Sequence, residues 1–362
     1  MTATTESIDV LSRVFSCRVC GFTNGHRIFR IREMMFGTHE EFEYFMCGSC
    51  GCLQIANIPN DISRHYPTGY YSHQLAPATP RLGLLRWALE RLLVKTALFD
   101  RGYKLSRIAK QFVTLPVSFF QARPDILKRA GVRDYRASIL DIGCGGQAKW
   151  LQDLRALGFK NLLGIDPFIE SDFHIQGIPV RRADATSLAK QSGGCFDLIT
   201  LHHSLEHIPD QLGTLLAVRD LLAPTGLCVI RIPVVSSLAW DKYGVNWVEL
   251  DAPRHLYLHS KDSLKQLARK AGLDLVDIQY DTTAFEFYGS EQYLLNVPLT
   301  SPKSLWVNAA STLFSQEKQR EFEEKAKQAN ADGTAGRACF FFRHSEQVSE
   351  IVSPVSRTAS RD

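Results

Sequence analysis

Between residues 136 and 281, short apolar runs alternate with stretches of helical period. "SILDI" (138–142), "NLLGID" (161–166), "IPVRRAD" (178–184), "FDLITLH" (196–202) and "LCVIRIP" (227–233) carry the apolar, β-branched character of buried strands. Helical patterns cover 149–157 and 212–222, and Ser260 is placed to cap another helix through Ala271, with Gly272 ending it. "LDLVDIQY" (273–280) predicts a sixth strand. "ACFFFR" (338–343) predicts a seventh, after an insertion at 282–337 that contains the helical "SQEKQREFEEKAKQA". Strands spaced by helices imply right-handed crossovers and a mostly parallel sheet, an α/β fold of Rossmann-like kind.

The flanks differ. Residues 1–74 hold two cysteine pairs among short β-like runs, 75–135 read as a basic helical region, and 345–362 as a polar tail expected to be disordered. Within 81–99, Leu82, Leu85, Leu89, Leu92 and Phe99 share one helical face. That face suits either an anionic lipid surface or packing on the chain's own domain. The main domain is expected over 136–344.

Composition narrows the classes. A chain of 362 residues with 45% hydrophobic content has material for more than one core unit. A net charge of +4 suits anionic small molecules or a membrane surface but falls short of a nucleic-acid footprint, so no nucleic-acid partner is expected. The polar N-terminus, the lack of a spanning apolar run and the spaced cysteine pairs point to a reducing, cytoplasmic compartment, with peripheral membrane contact through 81–99 as an option.

Chemistry concentrates first at "DIGCGGQ" (141–147). Glycine turns that open a helix offer bare N–H groups to a nucleotide-like ligand. Gly143, Gly145 and Gly146 form this turn, and Asp141 stands just before it. A carboxylate there repels a pyrophosphate, which disfavours a nicotinamide dinucleotide, and attracts the sulfonium and ammonium of S-adenosylmethionine. Asp166 at the second strand end is placed for ribose hydroxyls, which both cofactors have. Asp184 after the third strand is placed for an adenine amino group, or is a solvated loop acid.

"ILDIGCGG", "LLGIDP", "RADATSL", "FDLITLHHSLEHIPD" and "LLAPTGLCVIRIP", in this order over 136–281, resemble the class I S-adenosylmethionine-dependent methyltransferase family. The resemblance implies a seven-stranded sheet with its last strand antiparallel, S-adenosyl-L-methionine as cofactor, and His202 at the cofactor pocket. Gln147 departs from the family, which usually has glycine there. The departure leaves room for a rival reading, a non-catalytic binding or scaffold protein on a degenerate fold.

Cys17-x-x-Cys20 and Cys47-x-x-Cys50, each followed by glycine, form two knuckles that suit a closed, structural Zn2+ site in a small zinc-ribbon-like module. "HYPTGYYSH" (65–73) resembles a stretch found in bacterial methyltransferases with an N-terminal four-cysteine module. That likeness implies a lid role for Tyr70 and Tyr71, against a bland role in packing. After the fourth strand, Glu206 and His207 are an oriented acid–base pair or pocket lining. In "WVELDAPRHLYLHS" (247–260), Arg254 is a fork for an anionic substrate group, His255 an alternative base and Tyr257 a substrate contact, or the loop is simply well packed. Together these readings give a methyltransferase acting on a small molecule of sugar or polysaccharide type, nucleotide- or lipid-linked.

Overall fold

The computed structural model describes residues 15–66, 84–100, 103–191 and 193–345. Tyr70, Tyr71 and the tail from 346 lie outside the described residues.

The N-terminal module is a meander of β1 (Arg27–Arg32), β2 (Glu41–Met46) and β3 (Leu53–Ile55). A helical layer follows: α1 (Leu84–Phe99), α2 (Tyr103–Ala109), α3 (Val117–Gln121) and α4 (Pro124–Arg129). The main domain then runs β4 (Ile139–Ile142), α5 (Lys149–Leu157), β5 (Leu162–Ile165), β6 (Phe173–Ile175), β7 (Ile178–Arg181), α6 (Ala185–Ala189), β8 (Phe196–His202), α7 (Gln211–Leu221) and β9 (Leu222–Pro233). It continues through α8 (Leu238–Tyr243), β10 (Tyr257–Leu258), α9 (Lys261–Lys270), β11 (Leu273–Tyr280), α10 (Ala284–Leu294), α11 (Gln316–Asp332) and β12 (Arg337–His344).

Eight strands form the large sheet in the order β11-β12-β9-β8-β4-β5-β7-β6. The expected seven are all there. β4, β5, β7, β8 and β9 pair in parallel, and β12 runs antiparallel between β9 and β11. β4 is buried at every position, as a central parallel strand flanked by helices must be. The eighth strand, β6, was not expected. It folds back on β7 through Gln176 (φ 51°) and Gly177 (φ 74°), two left-handed residues that make a tight hairpin.

The module is welded to the domain. β10 pairs with β3, so the small sheet takes its fourth strand from residues 257–258. Ser260 caps α9 by accepting from Ser263 N and donates its hydroxyl to Cys50 O at 2.6 Å. One apolar core runs from Tyr44 and Leu53 through Leu140, Ile199 and Ile230 to Phe287 and Phe322.

On the opposite face, Val94 and Leu98 of α1 pack with Phe119, Ile126, Leu151 and Phe159. The domain thus buries Leu93, Val94 and Leu98 of α1, whereas on the face that the sequence had offered to lipid Leu89, Leu92 and Phe99 are half-buried and Leu85 stays exposed. Among the described residues no helix is long and apolar enough to cross a membrane.

Sequence reading missed α10, and the reason is physical. Glu286, Phe287, Gly289, Ser290, Gln292 and Tyr293 are all buried in it, so it has no polar face to set a period.

Candidate active site

β4 delivers Asp141 into the interior and then breaks into the glycine turn. Gly143 (φ 75°) must be glycine twice over, since a Cβ there would lie 2.5 Å from the Ser204 Cβ. Gly145 (φ 68°) donates its N–H to Asp166 Oδ2 at 3.0 Å, and Phe168 N donates to the other oxygen at 2.8 Å. α5 begins with no side chain capping its free N–H groups, and a Cβ at Gly146 would meet nothing within 4 Å.

The turn is therefore an open cradle lined by two strand-end acids, which fits the ribose and cationic methionine portion of S-adenosylmethionine. Gln147 does not spoil it. The left-handed position falls on Ala148 (φ 44°) rather than on Gln147, so the side chain there adds no backbone strain.

Asp141 is buried and accepts only from the Thr200 hydroxyl (2.8 Å) among the hydrogen bonds of its carboxylate in the described residues. Burial pushes its carboxyl up to about 7, with Thr200 pulling back and Asp166 adding to the rise. Such a group gains most from a cationic neighbour. Asp184 caps α6 in a reciprocal capping box with Ser187, and its Oδ1 also accepts from the Thr186 hydroxyl. This capping role is neither the adenine contact nor the solvated loop acid read from the sequence, and it leaves Oδ2 over. His202 packs its ring edge-on against Trp150 (4.8 Å), and burial holds it down at about 3, hence neutral.

Beyond the turn, residues 203–207 lead into a cavity of about 310 Å³. Histidines 203, 207 and 255 line it with Glu249, Asp251 and Arg337, and Phe285, Tyr293 and Trp306 supply flat apolar walls. Ser204 touches Gly143, so the cofactor turn and this cavity share one short segment.

The expected Glu206–His207 pairing is replaced by another arrangement. The two are neighbours in a tight 3₁₀ turn, and no hydrogen bond joins their side chains among the described residues. His207 Nδ1 bonds to Arg254 O (2.9 Å) and lies 3.2 Å from Tyr66 Oη. His255 Nδ1 bonds to Glu249 O (2.8 Å). Each imidazole thus donates from Nδ1 to a main-chain carbonyl and keeps a lone pair on Nε2. Their rings are 4.8 Å apart. Glu206 is fully buried; burial pushes its carboxyl up to about 8, and neither oxygen has a hydrogen-bond partner in the described structure. His203 Nδ1 is 3.3 Å from it, without hydrogen-bond alignment.

Two substrate-binding expectations are corrected. Arg254 is buried, with its Nε on Asp251, Nη1 on His65 O (3.0 Å) and Nη2 on Glu33 (2.8 Å), its plane over the Phe36 ring. A guanidinium spent this way clamps module to domain and has no fork for a substrate. Tyr257 is also buried on β10, its hydroxyl donating to Pro209 O and accepting from Arg18 Nε. Pairing β10 with the module turned that side chain away from the cavity.

The four cysteines converge. Cys17 and Cys50 sulfurs are 3.6 Å apart and Cys20 and Cys47 sulfurs 3.5 Å, close to the ~3.8 Å edge of a tetrahedron with ~2.3 Å zinc–sulfur bonds. Each knuckle closes alike, Gly21 N on Cys17 O and Gly51 N on Cys47 O. Gln54 Nε2 donates to Cys17 Sγ at 3.1 Å.

Sequence reasoning missed Glu33, Tyr66, Glu249 and the aromatic walls. The lone acid in the apolar "REMMF" was a usable signal for Glu33. Tyr66 stood in the tyrosine-rich stretch but was passed over for Tyr70 and Tyr71.

Residues 119–278 match the family described as "Methyltransferase domain". The ubiquinone biosynthesis O-methyltransferase of Cereibacter sphaeroides (strain ATCC 17029) is 33% identical over 154 residues, covering 38% of this chain and 61% of that protein. The protein of the same description from Xanthomonas oryzae pv. oryzae (strain PXO99A) is 26% identical over 169 residues, covering 42% and 66%. The chain thus spans about three fifths to two thirds of the length of these curated relatives.

Among solved structures, phosphoethanolamine N-methyltransferase 2 of Haemonchus contortus is similar at a TM-score of 0.41 and 17% identity, covering 89% of this chain and 69% of that one. Sheet order, glycine turn, strand-end acids and the family match agree: residues 119–278 carry a methyltransferase domain on a Rossmann-like α/β fold, similar to that of S-adenosylmethionine-dependent methyltransferases.

Proposed function

We propose that the protein transfers a methyl group from S-adenosylmethionine to a hydroxyl of a ring-shaped small molecule held in the cavity beside residues 203–207. The carrying observation is the set of Glu206, His207 and His255 next to a glycine turn that already touches Ser204. S-adenosylmethionine, when bound, supplies an electrophilic methyl carbon. Asp141 and Asp166 hold its cationic and ribose portions, and the cluster handles the acceptor's proton. The acceptor oxygen attacks in line, and the carbon–sulfur electron pair leaves with sulfur.

A sugar or polysaccharide-type acceptor suits the mixture of Trp306, Phe285 and Tyr293 faces with Asp251 and Glu249 acceptors. Arg254 is committed elsewhere, and Arg337, the arginine that lines the cavity, has its Nη2 on Asp281 O (2.8 Å) and its Nη1 3.7 Å from Glu249, so the support is for a neutral acceptor more than for an anionic link. Arg337 is itself held by Asp281. A phenolic ring is the second reading, favoured by the relatives' description as ubiquinone biosynthesis enzymes. Gln147 itself is not left-handed, so it gives the scaffold reading little support.

Calorimetry tests the cofactor half. S-adenosylmethionine and S-adenosylhomocysteine are expected to bind and NAD not. Affinity for S-adenosylmethionine should fall as pH drops below about 7, because the Asp141 carboxyl must then give up a proton first. Binding of NAD alone overturns the reading. Labelled methyl transfer to nucleotide-sugar and phenolic panels separates the two acceptors.

The cysteines are proposed to hold one structural zinc. Elemental analysis should assign one zinc per chain to them, lost in Cys47→Ser together with cooperative unfolding of the module. Zinc content unchanged by that substitution would exclude the site.

A further inference from the structure

We propose that Glu206, His207 and His255 bind a first-row divalent cation at the floor of the acceptor cavity, separate from the cysteine site. This rests on the methyl-transfer reading only for what the cation does, not for whether it binds.

Three features carry it. One ligand-capable atom from each residue lies within 4.8 Å of the others. Metal bonds of about 2.1 Å need only a modest inward shift from there. Both imidazoles are oriented as metal-bound histidines are: Nδ1 is tied to a main-chain carbonyl, Arg254 O for His207 and Glu249 O for His255, which leaves Nε2 as the donor. His255 Nε2 faces Glu206 Oε1 at 4.0 Å.

The third feature is Glu206 itself. A fully buried carboxyl whose two oxygens both lack a hydrogen bond is costly to keep. A cation between it and two lone pairs satisfies all three groups at once.

The surroundings are built to support this. Asp251 Oδ2 stands 4.0 Å from His255 Nε2, fixed by Arg254, so it belongs to the outer ring of the site. Tyr66 Oη reaches the Nδ1 side of His207 from the N-terminal module. The donors are two imidazoles and one carboxylate, a set that favours manganese, iron, cobalt or zinc over calcium and magnesium.

Three protein ligands leave positions open, and the histidines border the cavity. The cation there takes the acceptor oxygen and lowers the pKa of its hydroxyl, whose proton passes to water. The cluster then acts as a metal site rather than as an imidazole base.

The experiment uses the full-length chain and Mn2+, which thiolates bind poorly. Loss of the free-ion electron paramagnetic resonance signal should report about one Mn2+ per chain. Glu206→Gln, nearly isosteric, should weaken it by more than the roughly 10–100-fold typical of losing an outer-shell partner.

S-adenosylmethionine calorimetry on Glu206→Gln serves as the folding control and should match the parent. No Mn2+ binding by the parent chain, or binding unaffected by Glu206→Gln in a variant that still binds the cofactor, overturns the metal site. The first result leaves the imidazoles as the base. Failure of the parent chain to bind S-adenosylmethionine counts against the methyltransferase reading instead, while the Mn2+ titration still decides the metal site.

Discussion

Replacing Asp166 with alanine is expected to weaken S-adenosylmethionine binding about a hundredfold, some 2.8 kcal/mol at ~1.4 kcal/mol per tenfold. The carboxylate does two jobs. It ties the glycine turn down through Gly145 N and its own loop through Phe168 N, and it presents its remaining lone pairs where ribose hydroxyls arrive. Hydrogen bonds to a charged group contribute about 1.5–3 kcal/mol each, so losing the ribose pair and slackening the turn reaches this size. Asp166→Asn keeps the shape and one acceptor and should cost about tenfold. Titration calorimetry reads both. A change below about threefold in a folded Asp166→Ala protein would mean the ribose sits elsewhere.

The largest stability effect is expected at Arg254. Changing it to alanine leaves Glu33 and Asp251 facing each other's field in the interior, and breaking a buried ion pair costs about 3–5 kcal/mol. Glu33 keeps its bonds from Phe36 N, Thr38 N and the Thr38 hydroxyl, which fix it in place with no counter-charge. Arg254→Lys should recover little, because an ammonium cannot span Asp251, Glu33 and His65 O together. Urea unfolding measures the loss. A cost under about 1 kcal/mol, together with a raised KM for the acceptor, would return Arg254 to the substrate role that its motif first suggested.

That reversal shows where sequence reading stops. Arg254 stands in a loop dense with chemistry, and its type alone suits a substrate anion. What decides its role is Glu33, 221 residues away, brought there when β10 joined the module's sheet. Tyr257 was decided by the same pairing. Glu206 and His207 are adjacent in sequence and read as a pair. Among the described residues no hydrogen bond joins them, and the carbonyls of residues 254 and 249 orient the imidazoles instead.

The order of strands and helices, the glycine turn with its acids and the twin cysteine knuckles were all determined by the chain itself. They depend on periodicity, on residues that alone tolerate a left-handed backbone, and on ligands a few positions apart, all local properties. Tertiary structure alone decided which arginine faces the cavity, that Tyr66 reaches His207, that α10 is a helix with no polar face, and that Glu206 is buried without a hydrogen bond to its carboxylate among the described residues. Each of these depends on contacts between residues far apart in the chain, where burial and long-range pairing outweigh what a side chain prefers by itself.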